Sequence, residues 1–132
     1  MTAQRDSIDL RNTATNAIIS ILPISIERRT FIINDIPKNT FLTTNERLIT
    51  VALSDILLNT VSSGNNSCIR VFAKKEYDEL RIVIIDNHSD YSRYISGKMT
   101  KIQPIIKKLG GQLQFEFNQR ENITVILSFT YK

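Results

Sequence analysis

The stretch Asn45-Glu46-Arg47-Leu48-Ile49-Thr50-Val51-Ala52-Leu53-Ser54-Asp55-Ile56-Leu57-Leu58-Asn59-Thr60-Val61-Ser62 returns its apolar residues at helical spacing. Ile49, Leu53, Ile56, Leu57 and Val61 fall on one stripe, which predicts an amphipathic helix over residues 44–62. Thr44-Asn45-Glu46 supplies the capping start, and Ser62-Ser63-Gly64-Asn65-Asn66 a polar stop. Asp55 and Asn59 stand four residues apart, so they stack one turn apart on a face that flanks the stripe. An amide oxygen beside a carboxylate is a hard-ligand pair suited to Mg²⁺, an ion that keeps waters and borrows phosphate oxygens. The same pair also reads as a solvated polar flank, and spacing alone does not separate the two.

Working outward, residues 67–74 alternate as a strand, with Ile69, Val71 and Ala73 on one face and Cys68, Arg70 and Phe72 on the other. Glu76-Tyr77-Asp78 is a turn, and residues 80–85 form a nearly continuous apolar strand that belongs at the centre of a sheet. Residues 86–92 are polar and irregular. A helix is expected over 97–109, kinked or restarted at Pro104, followed by a Gly110-Gly111 break that allows positive φ. Residues 112–117 and 123–131 read as a hairpin around a turn at 118–122.

Upstream, Leu10, Ala14, Ala17, Ile18 and Leu22 predict a helix over 8–22, capped by Ser7 or Asp6 and closed by Pro23. Residues 29–34 read as a strand, 35–39 as a turn cluster and 41–43 as a short extended piece. The order α, β, β, α, β, β, α, β, β predicts an α/β (α+β) chain. It is a two-layer α/β sandwich with a mixed, mostly antiparallel sheet and helices on one face. The whole of 1–132 is expected to be a single domain, with 1–28 as lead-in helix and linker.

Composition narrows the function classes. The chain has 132 residues, 42% apolar and 23% charged, which suits one globular core. No run of eighteen apolar residues exists and the start is polar, so neither a membrane span nor a signal peptide is read and a cytoplasmic location is expected. A single cysteine, Cys68, excludes a disulfide framework, and a single histidine, His88, excludes any mechanism needing two. The net charge of +4 is scattered and tryptophan is absent, so no nucleic-acid surface is expected. The charge suits a polyanion such as a nucleotide.

The second chemical cluster is Asp86-Asn87-His88, directly after the central apolar strand. An acid there can project into a cleft at the strand's carboxyl end and accept from an amino group such as the exocyclic amine of adenine. Asp and Asn are also common turn formers at strand ends. His88 lacks histidine or cysteine partners for a metal site, and an exposed loop histidine is the plain reading.

Taken in order, these clusters resemble a known pattern. Ala52-Leu53-Ser54-Asp55-Ile56-Leu57-Leu58-Asn59-Thr60-Val61 resembles the N-box of the histidine-kinase-like ATPase (GHKL, Bergerat-fold) family, which includes sensor kinases, gyrase and the anti-sigma serine kinases. Asp86-Asn87 is similar to the family's Asp-x-Gly box, and Gly110-Gly111-Gln112-Leu113 to the turn after its last helix. Ile8-Asp9-Leu10 and Phe31-Ile32-Ile33-Asn34-Asp35-Ile36-Pro37 resemble the lead-in of sensor-kinase catalytic domains. The resemblance runs from about residue 8 to the end. It implies ATP and Mg²⁺ as cofactors and a protein partner in a signalling system. It also implies roles: Asn59 as the Mg²⁺ ligand, Asp55 as the catalytic acid position that can polarise an attacking group, and Asp86 on the adenine amine with Thr124 or a nearby hydroxyl as helper. His88 and Gly97 fall in the glycine boxes of the nucleotide site.

The departures bear on activity. His88 replaces the glycine of the Asp-x-Gly box, and Ser62 stands where sensor kinases often carry a phosphate-facing lysine. Only 23 residues separate Asp86 from Gly110, without a Gly-x-Gly-x-Gly; Gly97 alone survives near the expected place. The family grips phosphates with backbone N–H groups at a glycine-rich helix start. The expectation is therefore a sensor-kinase-type ATP-binding domain with weakened or lost nucleotide binding, whether kinase or pseudo-kinase. The alternatives are a nucleotide-independent interaction module and an anti-sigma-type serine kinase.

Overall fold

A computed structural model describes residues 5–62, 64–86, 101–117 and 123–130. The readings placed on His88, Gly97, the start of the 97–109 helix and the 118–122 turn lie outside these residues.

Among the described residues, seven strands and four helices follow in the order β1 (Asp6–Asp9), α1 (Leu10–Ser20), α2 (Leu22–Glu27), β2 (Phe31–Asn34), β3 (Phe41–Thr44), α3 (Glu46–Ser62), β4 (Cys68–Glu76), β5 (Glu79–Asp86), α4 (Gln103–Lys108), β6 (Gly111–Phe117) and β7 (Ile123–Thr130). Five strands form one sheet in the order β2-β4-β5-β7-β6. Among the described residues β2 and β4 run parallel, and β4–β5, β5–β7 and β6–β7 are antiparallel. β1 and β3 make a separate antiparallel pair. The expected mixed, mostly antiparallel sheet with a central β5 is what the chain builds.

The helices cover one face of this sheet. Ile69 and Val71 of β4, Leu80, Ile82 and Ile84 of β5, and Val125, Leu127 and Phe129 of β7 share one buried cluster with the stripes of α1, α3 and α4. Val83 and Ile126, also buried, sit opposite one another on the reverse face, outside that cluster. The α3 stripe is seated as its spacing predicts: Ile49, Ile56, Leu53 and Leu57 are at most 1% exposed. Removing one such side chain by Ile56→Ala costs about 2–5 kcal/mol. Asn45 caps the helix, its Oδ1 accepting from the Leu48 N–H at 2.9 Å.

Three boundaries differ from the sequence reading. Residues 6–9 are a strand, because Ile8 pairs with Leu42 and is buried there; the helix begins at Leu10 with Asp9 as its cap, accepting from Asn12 N–H at 3.3 Å. Pro23 does not close the chain into a linker. It stands in the first turn of α2, where a missing N–H costs nothing. Pro104 opens α4, which is the restart that the sequence reading allows. Arg29, at φ 53°, turns the chain before β2, which starts at Phe31 instead of at residue 29.

Side-chain bonds tie the layers. Asn34 Nδ2 donates to the Arg11 carbonyl at 3.0 Å and to Thr15 Oγ1 at 2.9 Å, fastening β2 to α1. Ser20 Oγ donates to Ser54 Oγ at 3.2 Å, joining α1 to α3.

The two glycines between α4 and β6 serve different needs. Gly110 has φ +79°, where a side chain is strained. A Cβ on Gly111 would stand 2.6 Å from Phe129 Cε1 and 3.1 Å from the Ser128 carbonyl oxygen, so the aromatic ring occupies the space. Gly110→Ala is expected to cost about 1–2 kcal/mol through φ alone, and Gly111→Ala about 1–3 kcal/mol through crowding. Urea unfolding checks both. Combining Gly111→Ala with Phe129→Leu, which trims the ring, should recover part of the second loss; no recovery would refute the crowding account.

Candidate functional site

β5 carries Asp86 to the site. Its even-numbered residues Leu80, Ile82 and Ile84 face the helices, and the alternation puts Asp86 on the same side. Asp86 is 1% exposed. A carboxylate so buried requires donors, and the Ser67 hydroxyl donates to Asp86 Oδ1. Ser67 is itself buried, just before β4. Opposite Asp86 stand Ile69 on β4 and Ile123 on β7.

α3 brings the other two residues. Ser54 is on the flank that meets α1, and α3 also packs against α4. Helical spacing puts Asp55 and Asn59, both half-buried, on the flank away from Ser54. Asn59 Nδ2 donates to the Asp55 carbonyl oxygen at 2.9 Å, which holds the amide along the helix. Asn59 is in the last turn of α3, and residues 62–67 lead from that turn to Ser67 and the start of β4. Asn59 and Asp86 therefore sit at the same end of the sandwich, one on the helical layer and one on the sheet. Asp55 lies one turn further along α3.

Thr124 is not brought to them. It pairs opposite Ile85, and cross-strand partners point to one side of a sheet. Its side chain falls on the reverse face from Asp86, so Ser67 rather than Thr124 supplies the hydroxyl at the Asp86 carboxylate. Sequence reading missed Ser67. The signal was the short Tyr77-Asp78 turn: once Glu76 pairs with Glu79, Ile69 must pair with Asp86, and Ser67 comes diagonally alongside.

Among the described residues no group of three His, Cys, Asp or Glu could hold a metal, and no helix is long and apolar enough to cross a membrane. Grooves among the described residues include one of about 730 Å³ along α4 and β6 and one of about 440 Å³ between α1–α2 and β2. Neither is lined by Asp55, Asn59 or Asp86.

The loss of the Ser67 hydroxyl tests the carboxylate's surroundings. Ser67→Ala should lower stability by about 1–3 kcal/mol, since it takes a donor from a buried charge. Denaturant unfolding of Ser67→Ala beside Ser67→Thr, which keeps the hydroxyl, is the check; equal losses in both would show that shape, not the hydrogen bond, matters.

No family model and no curated protein sequence matches the chain. Solved structures do. The histidine kinase AdeS of Acinetobacter baumannii superposes with TM-score 0.84 at 11% identity, over 100% of this chain and 70% of that one. The catalytic domain of histidine kinase ThkA, in a nucleotide-free form, superposes with TM-score 0.80 at 13% identity, over 96% of this chain and 95% of that one; ThkA is also solved in complex with the response regulator protein TrrA. Full-length ShkA in complex with AMPPNP gives TM-score 0.79 at 11% identity, over 100% of this chain and 32% of that one. The chain therefore has the fold of histidine kinase catalytic domains.

Proposed function

We propose that this chain is a nucleotide-binding domain of the sensor histidine kinase type, with affinity for ATP weakened by its altered glycine boxes. The observation that carries the reading is Asp86: an acid 1% exposed at the end of the central strand, on the helix-facing side, held by a serine hydroxyl. A carboxylate kept in such a place is suited to accept from the amino group of a purine.

The donor set fits Mg²⁺-ATP. Asn59 offers one hard oxygen on the neighbouring helix, and Mg²⁺ takes few protein ligands, filling its shell with phosphate oxygens and water. When bound, the ion neutralises phosphate charge. Asp86 would orient the base, Asn59 would hold the ion, and Asp55, one turn away, stands where an acid can polarise an attacking hydroxyl. His88 and Gly97 bear on the grip: a side chain replaces bare backbone in one box, and one glycine remains in the other. Its structural neighbours suggest the setting, since ShkA is solved with AMPPNP and ThkA with a response regulator.

A second reading, an interaction module without nucleotide, is favoured by one observation. Ile26 and Phe31 are 72% and 76% exposed beside the apolar groove between α2 and β2. Asp55 keeps the anti-sigma-type serine kinase as a variant of the first reading.

Calorimetric titration with ADP and ATP, with and without Mg²⁺, separates these readings. Binding is expected in the range of about 10 µM to 1 mM, with Asp86→Asn weakening it about tenfold or more. Asn59→Ala should weaken only the Mg²⁺-dependent part. Unchanged affinity in Asp86→Asn would overturn the role given to Asp86, and no binding at millimolar nucleotide would select the interaction module.

A further inference from the structure

We propose that the groove between α4 and the edge strand β6 binds an extended acidic peptide as an added strand. The groove holds about 730 Å³ and is lined by Gln103, Pro104 and Lys107 on the helix side and by Gln112, Leu113 and Gln114 on the strand side. β6 ends the sheet, and among the described residues no strand pairs with its outer edge. Alternate residues of such an edge direct N–H and C=O groups away from the sheet, ready for another chain. Exposed Gln112 and Gln114 alternate with half-buried Leu113 and Phe115. That two-residue period gives an added strand both a backbone ladder and side-chain subsites.

Charge selects the occupant. Residues 101–115 contain three lysines and no acid. Lys107 and Lys108 are exposed in the last turn of α4, at the end of the groove where β6 begins. Arg5 adds to the same corner, its Nη2 3.9 Å from the position of a Cβ on Gly110. The lysines also complement the carboxyl end of α4, but that role does not call for an open strand beside them. A basic corner at the mouth of a strand-and-helix groove suits acidic side chains carried on an extended backbone. The backbone ladder favours a peptide over a nucleic acid, which has no amides to pair. None of Asp55, Asn59 and Asp86 lines this groove, so it acts independently of the nucleotide site.

The test uses the full chain and a fluorescein-labelled Glu-Val-Glu-Val-Asp-Val peptide, read by polarisation and by amide hydrogen exchange. Binding is expected together with new protection of the Gln112 or Gln114 amides. A peptide of equal charge with proline at every second position should not bind. Lys107→Glu combined with Lys108→Glu should weaken binding about tenfold or more. The milder Lys107→Gln, Lys108→Gln pair should show the same direction. No binding, equal binding of the proline peptide, or unchanged affinity in both lysine variants would overturn the proposal. Displacement of the peptide by single-stranded oligothymidylate at equal or lower concentration would also overturn it, in favour of a nucleic-acid surface.

Discussion

The pairing of β5 on both of its sides is the constraint on which the rest depends. All eight of its residues are matched, to β4 on one side and to β7 on the other. Strand side chains alternate, so a slip of one residue would exchange the faces of the whole strand. It would turn Leu80, Ile82 and Ile84 away from α3 and move Asp86 to the reverse face. The apolar contacts that hold the two layers together are thus the same contacts that fix the acid. Position of the carboxylate is a consequence of core packing, and the Ser67 hydroxyl offsets part of the cost of burying it.

Much of the fold is legible in the sequence because its signals are long and periodic. The α3 stripe and the apolar run of β5 need no tertiary knowledge, and both appear where the pattern puts them. The short elements fail for a physical reason. Residues 6–9 are strand because β3, more than thirty residues downstream, offers them a partner; no local propensity reports that. Pro23 reads as the close of a helix, whereas it occupies the first turn of the next one, the helical position that tolerates it.

The site shows the same division. Asp55 and Asn59 follow from helical spacing, and Asp86 from its place after a buried strand. Thr124 was assigned by its likeness to a family position, and cross-strand register places it on the opposite face. Ser67 carries no motif at all; only the register set by the Tyr77-Asp78 turn brings it beside Asp86. Motifs identify residue types, while sheet register decides which of them meet.

The proposed nucleotide site and the α4–β6 groove occupy different parts of one scaffold. The first lies at one end of the central strand and the carboxyl end of α3; the second lies along the outermost strand. The apolar core cluster does not include Asp55, Asn59 or Asp86. The central claim, that nucleotide meets the chain at Asp86, is tested most directly by mapping ¹⁵N–¹H amide shifts of the full chain during titration with ADP. The account predicts that the largest changes gather at Asn59, Ser67, Ile69 and Asp86. Changes confined to α2 and β2, or none at millimolar ADP, would contradict it.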